Sequence, residues 1–99
     1  MSSFATISPA ELKARLDGGE RPLMVDVRED EEVAQGMIAG AVHIPLGQIG
    51  ERYNELPTSQ EIIMICRSGG RSGRACEFLS ANGFTVTNMS GGMLAWEKL

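Results

Sequence analysis

Five short stretches of the chain concentrate apolar residues in the way strands do, and helical spacing fills the gaps between them. Phe4 to Ile7 is a first strand candidate. Leu23-Met24-Val25-Asp26-Val27 is a nearly continuous apolar run, the pattern of a strand buried on both faces. Val42-His43-Ile44, closed by Pro45, is a third, Ile62 to Ile65 a fourth, and Phe84 to Thr87 a fifth. Ile62 to Ile65 is the most hydrophobic of them and is expected at the centre of the sheet.

Between these runs the helix signals are clear. Ser8-Pro9-Ala10-Glu11 supplies an N-cap, a proline at the first helical position and a capping box, with Leu12 and Leu16 on one face and Gly18-Gly19 as the stop. Glu29 to Gln35 reads as a short helix with acids in its first turn, ended by Gly36. Leu46 to Tyr53 places Leu46, Ile49 and Tyr53 on one side. Ser72 to Asn82 turns Ala75, Cys76, Phe78 and Leu79 inward before Gly83, and Ser90-Gly91-Gly92 opens a last helix carrying Met93 and Trp96. Strands alternating with helices predict an α/β domain, a mainly parallel sheet covered by helices on both faces. Ligands bind such sheets at the carboxyl ends of the strands.

Composition narrows the function. Ninety-nine residues suit one domain spanning 1–99, and 42% hydrophobic with 22% charged residues is ordinary for a globular chain. A net charge of -4 argues against a general nucleic-acid binder. No stretch is long enough to span a membrane, and no basic segment precedes an apolar one, so a cytoplasmic protein is expected. Cys66 and Cys76 are too few for a disulfide framework, and with the lone His43 they lack metal-ligand spacing; neither metal nor cofactor is expected. The six methionines read as core filling. The acidic run Glu29 to Glu32 reads as a solvated helix start, whereas Arg67, Arg71 and Arg74 cluster around a cysteine with no acid among them.

That cysteine, Cys66, ends the most apolar strand and enters the loop Arg67-Ser68-Gly69-Gly70-Arg71-Ser72. Attack requires a thiolate, and a free cysteine is only a few per cent ionised near neutrality. The helix that follows offers its positive end, Gly69 and Gly70 allow backbone N–H groups to converge, and Arg67 and Arg71 add charge. Ser68 and Ser72 can donate further hydrogen bonds. An inert buried thiol needs none of this. Two reaction classes fit, sulfur transfer and phosphoryl or arsenate chemistry. Cysteine phosphatases place five residues between Cys and Arg, whereas four separate Cys66 from Arg71, a tighter cup that favours a single sulfur over a phosphate. Asp26 and Arg28 read as structural, and since a residue two positions on cannot reach back along one strand face without a turn, the partner of Asp26 is expected elsewhere. His43 reads as packed or partly exposed, and Cys76 as a core residue.

The chain resembles a single-domain rhodanese, a thiosulfate-type sulfurtransferase, over nearly its whole length. The resemblance rests on Val25-Asp26-Val27-Arg28 followed by Glu32, Gly40-Ala41-Val42-His43-Ile44-Pro45, Cys66 to Ser72, and Gly91-Gly92 with Trp96. It implies a three-layer rhodanese-like domain around a five-stranded sheet. It also implies that Cys66 takes sulfur from a donor such as thiosulfate and holds it as a persulfide within the N–H groups of Arg67 to Arg71. The sulfur then passes to cyanide or a thiol, with a sulfur-relay protein as a further partner the family allows. Asp26 and Arg28 would brace the loop. The family often has an aromatic residue where Val33 stands and a histidine where Met37 stands, both packing or turn positions.

Overall fold

The structure, a computed structural model, describes residues 3–99. Its strands are β1 (Ala5–Ile7), β2 (Leu23–Asp26), β3 (Val42–His43), β4 (Ile62–Ile65) and β5 (Val86–Met89). They form one sheet in the order β1-β5-β4-β2-β3. Every pairing is parallel, with Asp26 level with Ile65 and Met64 level with Asn88. The most apolar strand is central, as its composition predicts, and all four of its residues are fully buried.

The helices are α1 (Pro9–Asp17), α2 (Asp30–Val33), α3 (Leu46–Arg52), α4 (Gly70–Ala81) and α5 (Gly92–Trp96), with a 3-10 turn at Tyr53–Glu55. The α1 capping box forms, the Ser8 hydroxyl accepting from the Glu11 N–H at 3.1 Å and the Glu11 carboxylate from the Ser8 N–H at 2.9 Å. Strand alternation sorts β4 into two cores. Ile62 and Met64 face α3 and α4 together with Ile49, Ala75, Cys76, Leu79 and Phe84. Ile63 and Ile65 face the other way, toward Leu12 of α1 and Met93 of α5, with Leu16 and Trp96 at the margin. Each fully buried branched aliphatic side chain contributes about 1.5–3 kcal/mol relative to exposure, so burial of β4 on both faces contributes strongly to holding the sheet together.

Three elements and one side chain depart from the expectation in ways that matter to the site or the core. β5 begins at Val86 rather than Phe84, because the Phe84 N–H is bonded to the Leu79 carbonyl at 3.1 Å and its ring packs beneath α4. The strand consequently runs on to Met89 and carries Asn88 into the sheet. α4 starts at Gly70 rather than Ser72, since Gly69 caps it at φ +102° and its carbonyl accepts from the Gly73 N–H at 3.0 Å. α2 is confined to four residues and decays into turns ending at Gly36. Phe78 is 39% exposed rather than inward, resting edge-on against Tyr53 at a centroid distance of 5.3 Å. No helix among the described residues is long and apolar enough to cross a membrane.

Candidate active site

Continuing the alternation of β4, Cys66 falls on the α3–α4 side and is fully buried. Beyond it the chain leaves the sheet, and the last helix holds it there. The Met93 N–H donates to the Cys66 carbonyl at 2.8 Å, and the Leu94 N–H to the Arg67 carbonyl at 2.9 Å. The turn at Gly69 then aims that residue's N–H at the Cys66 Sγ, 3.0 Å away. A side chain at position 69 would be strained by the positive φ and would press on the Gly91 nitrogen, 3.4 Å from its Cβ.

The Ser72 hydroxyl reaches the same sulfur from the first turn of α4, at 3.2 Å. It also lies 2.5 Å from Oδ1 of Asn88 and 3.3 Å from the Gly69 carbonyl. The Asn88 amide donates through Nδ2 to that carbonyl at 3.1 Å. Burial pushes the Cys66 thiol up. The Ser72 hydroxyl and the N–H groups of Ser72, Gly69 and Ser68 more than offset this, leaving the thiol below its ordinary value. Cys76, by contrast, has only burial and the neighbouring Cys66 charge acting on it and is pushed up to about 12.

The other loop residues divide by environment. Arg67 and Ser68 are exposed, and Arg67 borders a cleft of about 370 Å³ shared with Glu31, Met93, Leu94 and Glu97. Gly70 has no left-handed backbone, and a Cβ there would meet nothing within 4 Å. Arg71 turns its guanidinium to Glu32, donating from both terminal nitrogens at 2.6 and 2.7 Å. Part of its charge is thereby offset by an acid that is remote in sequence.

This pair gives Glu32 a role its acidic run does not suggest. The Arg71 hydrogen bonds and the Glu29 N–H hold its carboxyl at about 2. The resulting stability is complete above pH 4.5, the ordinary value, and is lost as pH falls toward 2. Discounted for the side chains' 25% and 33% exposure, the pair is worth about 1 kcal/mol. Glu32→Gln is therefore expected to unfold about 1 kcal/mol more easily at pH 7 and to close most of that gap near pH 2. Denaturant melts at the two pH values check this.

Asp26 and Arg28 correct an expectation. The partner of Asp26 is Arg28 itself. After Val27 donates its N–H to the Ile65 carbonyl at 2.9 Å the chain leaves the sheet, and the turn brings the Arg28 side chain back. Its Nε and Nη2 donate to the Asp26 carboxylate at 3.0 and 2.9 Å, and its own N–H to Oδ1 at 3.0 Å. Both residues are buried, and Nη2 also donates to the Gly36 carbonyl at 2.8 Å. The pair thus pins the segment bearing Glu32, and through it Arg71. Removing either partner would leave a buried charge uncompensated. His43 is half-buried, its Nε2 lying 2.7 Å from the Arg28 carbonyl. Among the described residues no cluster could hold a metal ion.

A parallel α/β sheet whose central strand delivers a buried cysteine into a short loop of hydrogen-bond donors defines a cysteine-centred domain with its site at the carboxyl edge of the sheet. The chain belongs to the rhodanese-like domain family, whose family model matches residues 8–99. A Bacillus subtilis relative provisionally named a sulfurtransferase is 50% identical over 91 residues, 92% of this chain and 88% of its own. An Allochromatium vinosum sulfurtransferase is 40% identical over 93 residues, covering 93% and 87% of the two chains. A rhodanese-like domain protein of Staphylococcus aureus superposes with a TM-score of 0.90 at 38% identity, over 94% of this chain and 91% of that one.

Proposed function

We propose that this protein is a sulfurtransferase that carries sulfane sulfur as a persulfide on Cys66. The observation that supports this most directly is the convergence of the Gly69 N–H and the Ser72 hydroxyl on one sulfur, at 3.0 and 3.2 Å. The names of the relatives at 40–50% identity support sulfur transfer in general. The Cys66 thiolate attacks the outer sulfur of a donor such as thiosulfate, and the donor's S–S bond breaks. Sulfite departs with the bonding electron pair. A nucleophilic acceptor, cyanide or a thiolate, then attacks the outer persulfide sulfur and returns Cys66 as a thiolate.

The N–H groups of Ser68, Gly69 and Ser72 stabilise negative charge on the sulfur in each resting state. Arg67, exposed at the mouth, attracts the anionic donor, while Arg71, held by Glu32, fixes the start of α4. Asp26 and Arg28 support that arrangement from beneath.

Intact-mass spectrometry after incubation with thiosulfate tests the reading. The protein is expected to gain the mass of one sulfur atom and to lose it to cyanide with formation of thiocyanate. No mass gain with any sulfane donor, together with turnover of an aryl phosphate, would move the assignment to a cysteine phosphatase or arsenate reductase.

A further inference from the structure

The single proton of Ser72 has three acceptors within reach, the Gly69 carbonyl at 3.3 Å being the farthest. The Ser72 Oγ lies 2.5 Å from Oδ1 of Asn88 and 3.2 Å from the Cys66 Sγ. The Asn88 amide is oriented by its other arm, because only Nδ2 can donate to the Gly69 carbonyl, 3.1 Å away. Oδ1 is therefore the atom that faces Ser72, and the hydrogen between them belongs to the serine. When Cys66 is a thiol the chain is complete: S–H donates to Oγ, and O–H donates to Oδ1. When Cys66 is a thiolate, a lone pair of Oγ would confront an anion unless the hydroxyl turns its hydrogen to sulfur. Charge-assisted hydrogen bonds are the stronger kind, so it turns, and Asn88 loses its donor.

We propose that Asn88 is a positioning residue that acts through Ser72, whose hydroxyl points its proton to Asn88 while Cys66 is a thiol and to sulfur once it is a thiolate. Asn88 thereby favours the thiol, opposing the Gly69 N–H, which favours the thiolate. The buried sulfur is satisfied in both protonation states and can pass between them during a double displacement. This inference rests on Cys66 being the nucleophile of the proposed reaction, but it does not depend on sulfur being what is carried.

The charged side chains around the cup are Arg67 on the loop, Arg71 on α4 with Glu32 of α2 against it and Glu29 just before that helix, Asp26 at the end of β2 with Arg28 beyond it, and Glu31 of α2 and Glu97 just after α5 beside Arg67. Cys76, pushed up to about 12, stays neutral. Substitutions at positions 72 and 88 leave all of them in place.

The test is the pH profile of iodoacetamide alkylation at Cys66, read by peptide mass spectrometry on variants whose folding is checked by thermal melts. Ser72→Ala is expected to raise the midpoint by about one pH unit, about tenfold slower reaction on the acid side. Asn88→Leu is expected to lower it by about half a unit, about threefold faster on the acid side, because the hydroxyl is released to sulfur. The Gly69 carbonyl keeps its bond from the Gly73 N–H at 3.0 Å, so the loop remains capped. A purely structural Asn88 predicts the opposite sign, since a loosened cup returns the thiol upward toward its ordinary value. In a Ser72→Ala background Asn88→Leu should shift nothing further. An upward or absent shift in Asn88→Leu, or an undiminished shift in the double variant, overturns the proposal. Asn88→Ala carries the same expectations should the leucine variant not fold. Alkylation reads thiolate whether or not thiosulfate loads the protein, so failure of sulfur transfer and failure of this inference are separately visible.

Discussion

Cys66→Ala is expected to abolish sulfur loading from thiosulfate and to cut turnover to cyanide by at least about a thousandfold, because a covalent mechanism has no residual path without its nucleophile. The other thiol cannot substitute. Cys76 is fully buried and pushed up to about 12, so at neutral pH only ~1 in 10⁵ copies carries the reactive thiolate. The variant should still fold. The contacts that place the loop here are made by the Cys66 and Arg67 carbonyls, which alanine keeps, and loss of one buried sulfur costs about 1 kcal/mol. Cys66→Ser provides the companion measurement, since it can keep a hydrogen bond from the Gly69 N–H while offering a far weaker nucleophile. Loading should vanish in both variants by intact mass, with near-native melts. Persistence of a sulfur adduct in Cys66→Ala above a few per cent of wild type would remove Cys66 from the proposed mechanism.

The nearest hydrogen-bond donors at the sulfur are positioned by backbone geometry, which explains how a loop with three exposed members, Arg67, Ser68 and Gly70, can hold a buried group in place. The Gly69 N–H is fixed by a glycine turn, and Ser72 by the first turn of α4. Neither depends on a long, flexible side chain. The Gly69 N–H is a preorganised dipole that needs no rearrangement when charge develops, which is where such sites gain over water, whereas the Ser72 hydroxyl has only to rotate its hydrogen. The arginines contribute differently. Arg71 is spent largely on Glu32, leaving Arg67 as the loop's outward cation.

What could be read in advance follows the range of the interactions. The α1 capping box links residues three apart and was legible from Ser8 and Glu11 alone. The central place of β4 was legible because four consecutive apolar residues have few other destinations. Cys66 and its loop are contiguous, so the donor-rich cup was visible as a local pattern. Contacts that close over distance were not. Glu32 meets Arg71 across 39 positions, and an acidic run gives no sign of which member is engaged. Asn88 is hidden because Phe84 resembles a strand start while its N–H finishes α4, so the strand lies two residues further on than the apolar pattern predicts. The Asp26–Arg28 pair is hidden for a third reason: strand geometry ends at Asp26, and the chain turns before Arg28.

Gly92→Ala is expected to be among the most damaging single-methyl additions in the chain, and its effect ties the last helix to the cysteine. Gly92 sits at φ +58°, and a Cβ there would lie 2.5 Å from the Arg67 carbonyl carbon and oxygen and from the Cys66 oxygen. All three are backbone atoms, which cannot swing aside as the tip of a side chain could. Relief requires α5 to retreat, and the bonds from the Met93 and Leu94 N–H groups to those two carbonyls are then lost. Left-handed backbone costs a non-glycine residue about 1–2 kcal/mol and two hydrogen bonds about 1 kcal/mol each, so the total is about 3–4 kcal/mol before any repacking. For a chain of this size the melting midpoint should fall by roughly 15–30 °C. Gly70→Ala is the control, in the same loop but with ordinary φ and open space around it, and it should leave stability within about 1 kcal/mol of wild type or raise it. Where Gly92→Ala still folds, displacement of the Cys66–Arg67 peptide should move the Gly69 N–H off the sulfur and slow thiosulfate loading along with alkylation. A melt within a few degrees of wild type would mean that α5 can shift without cost, and that the carbonyls it grips do not hold the cup.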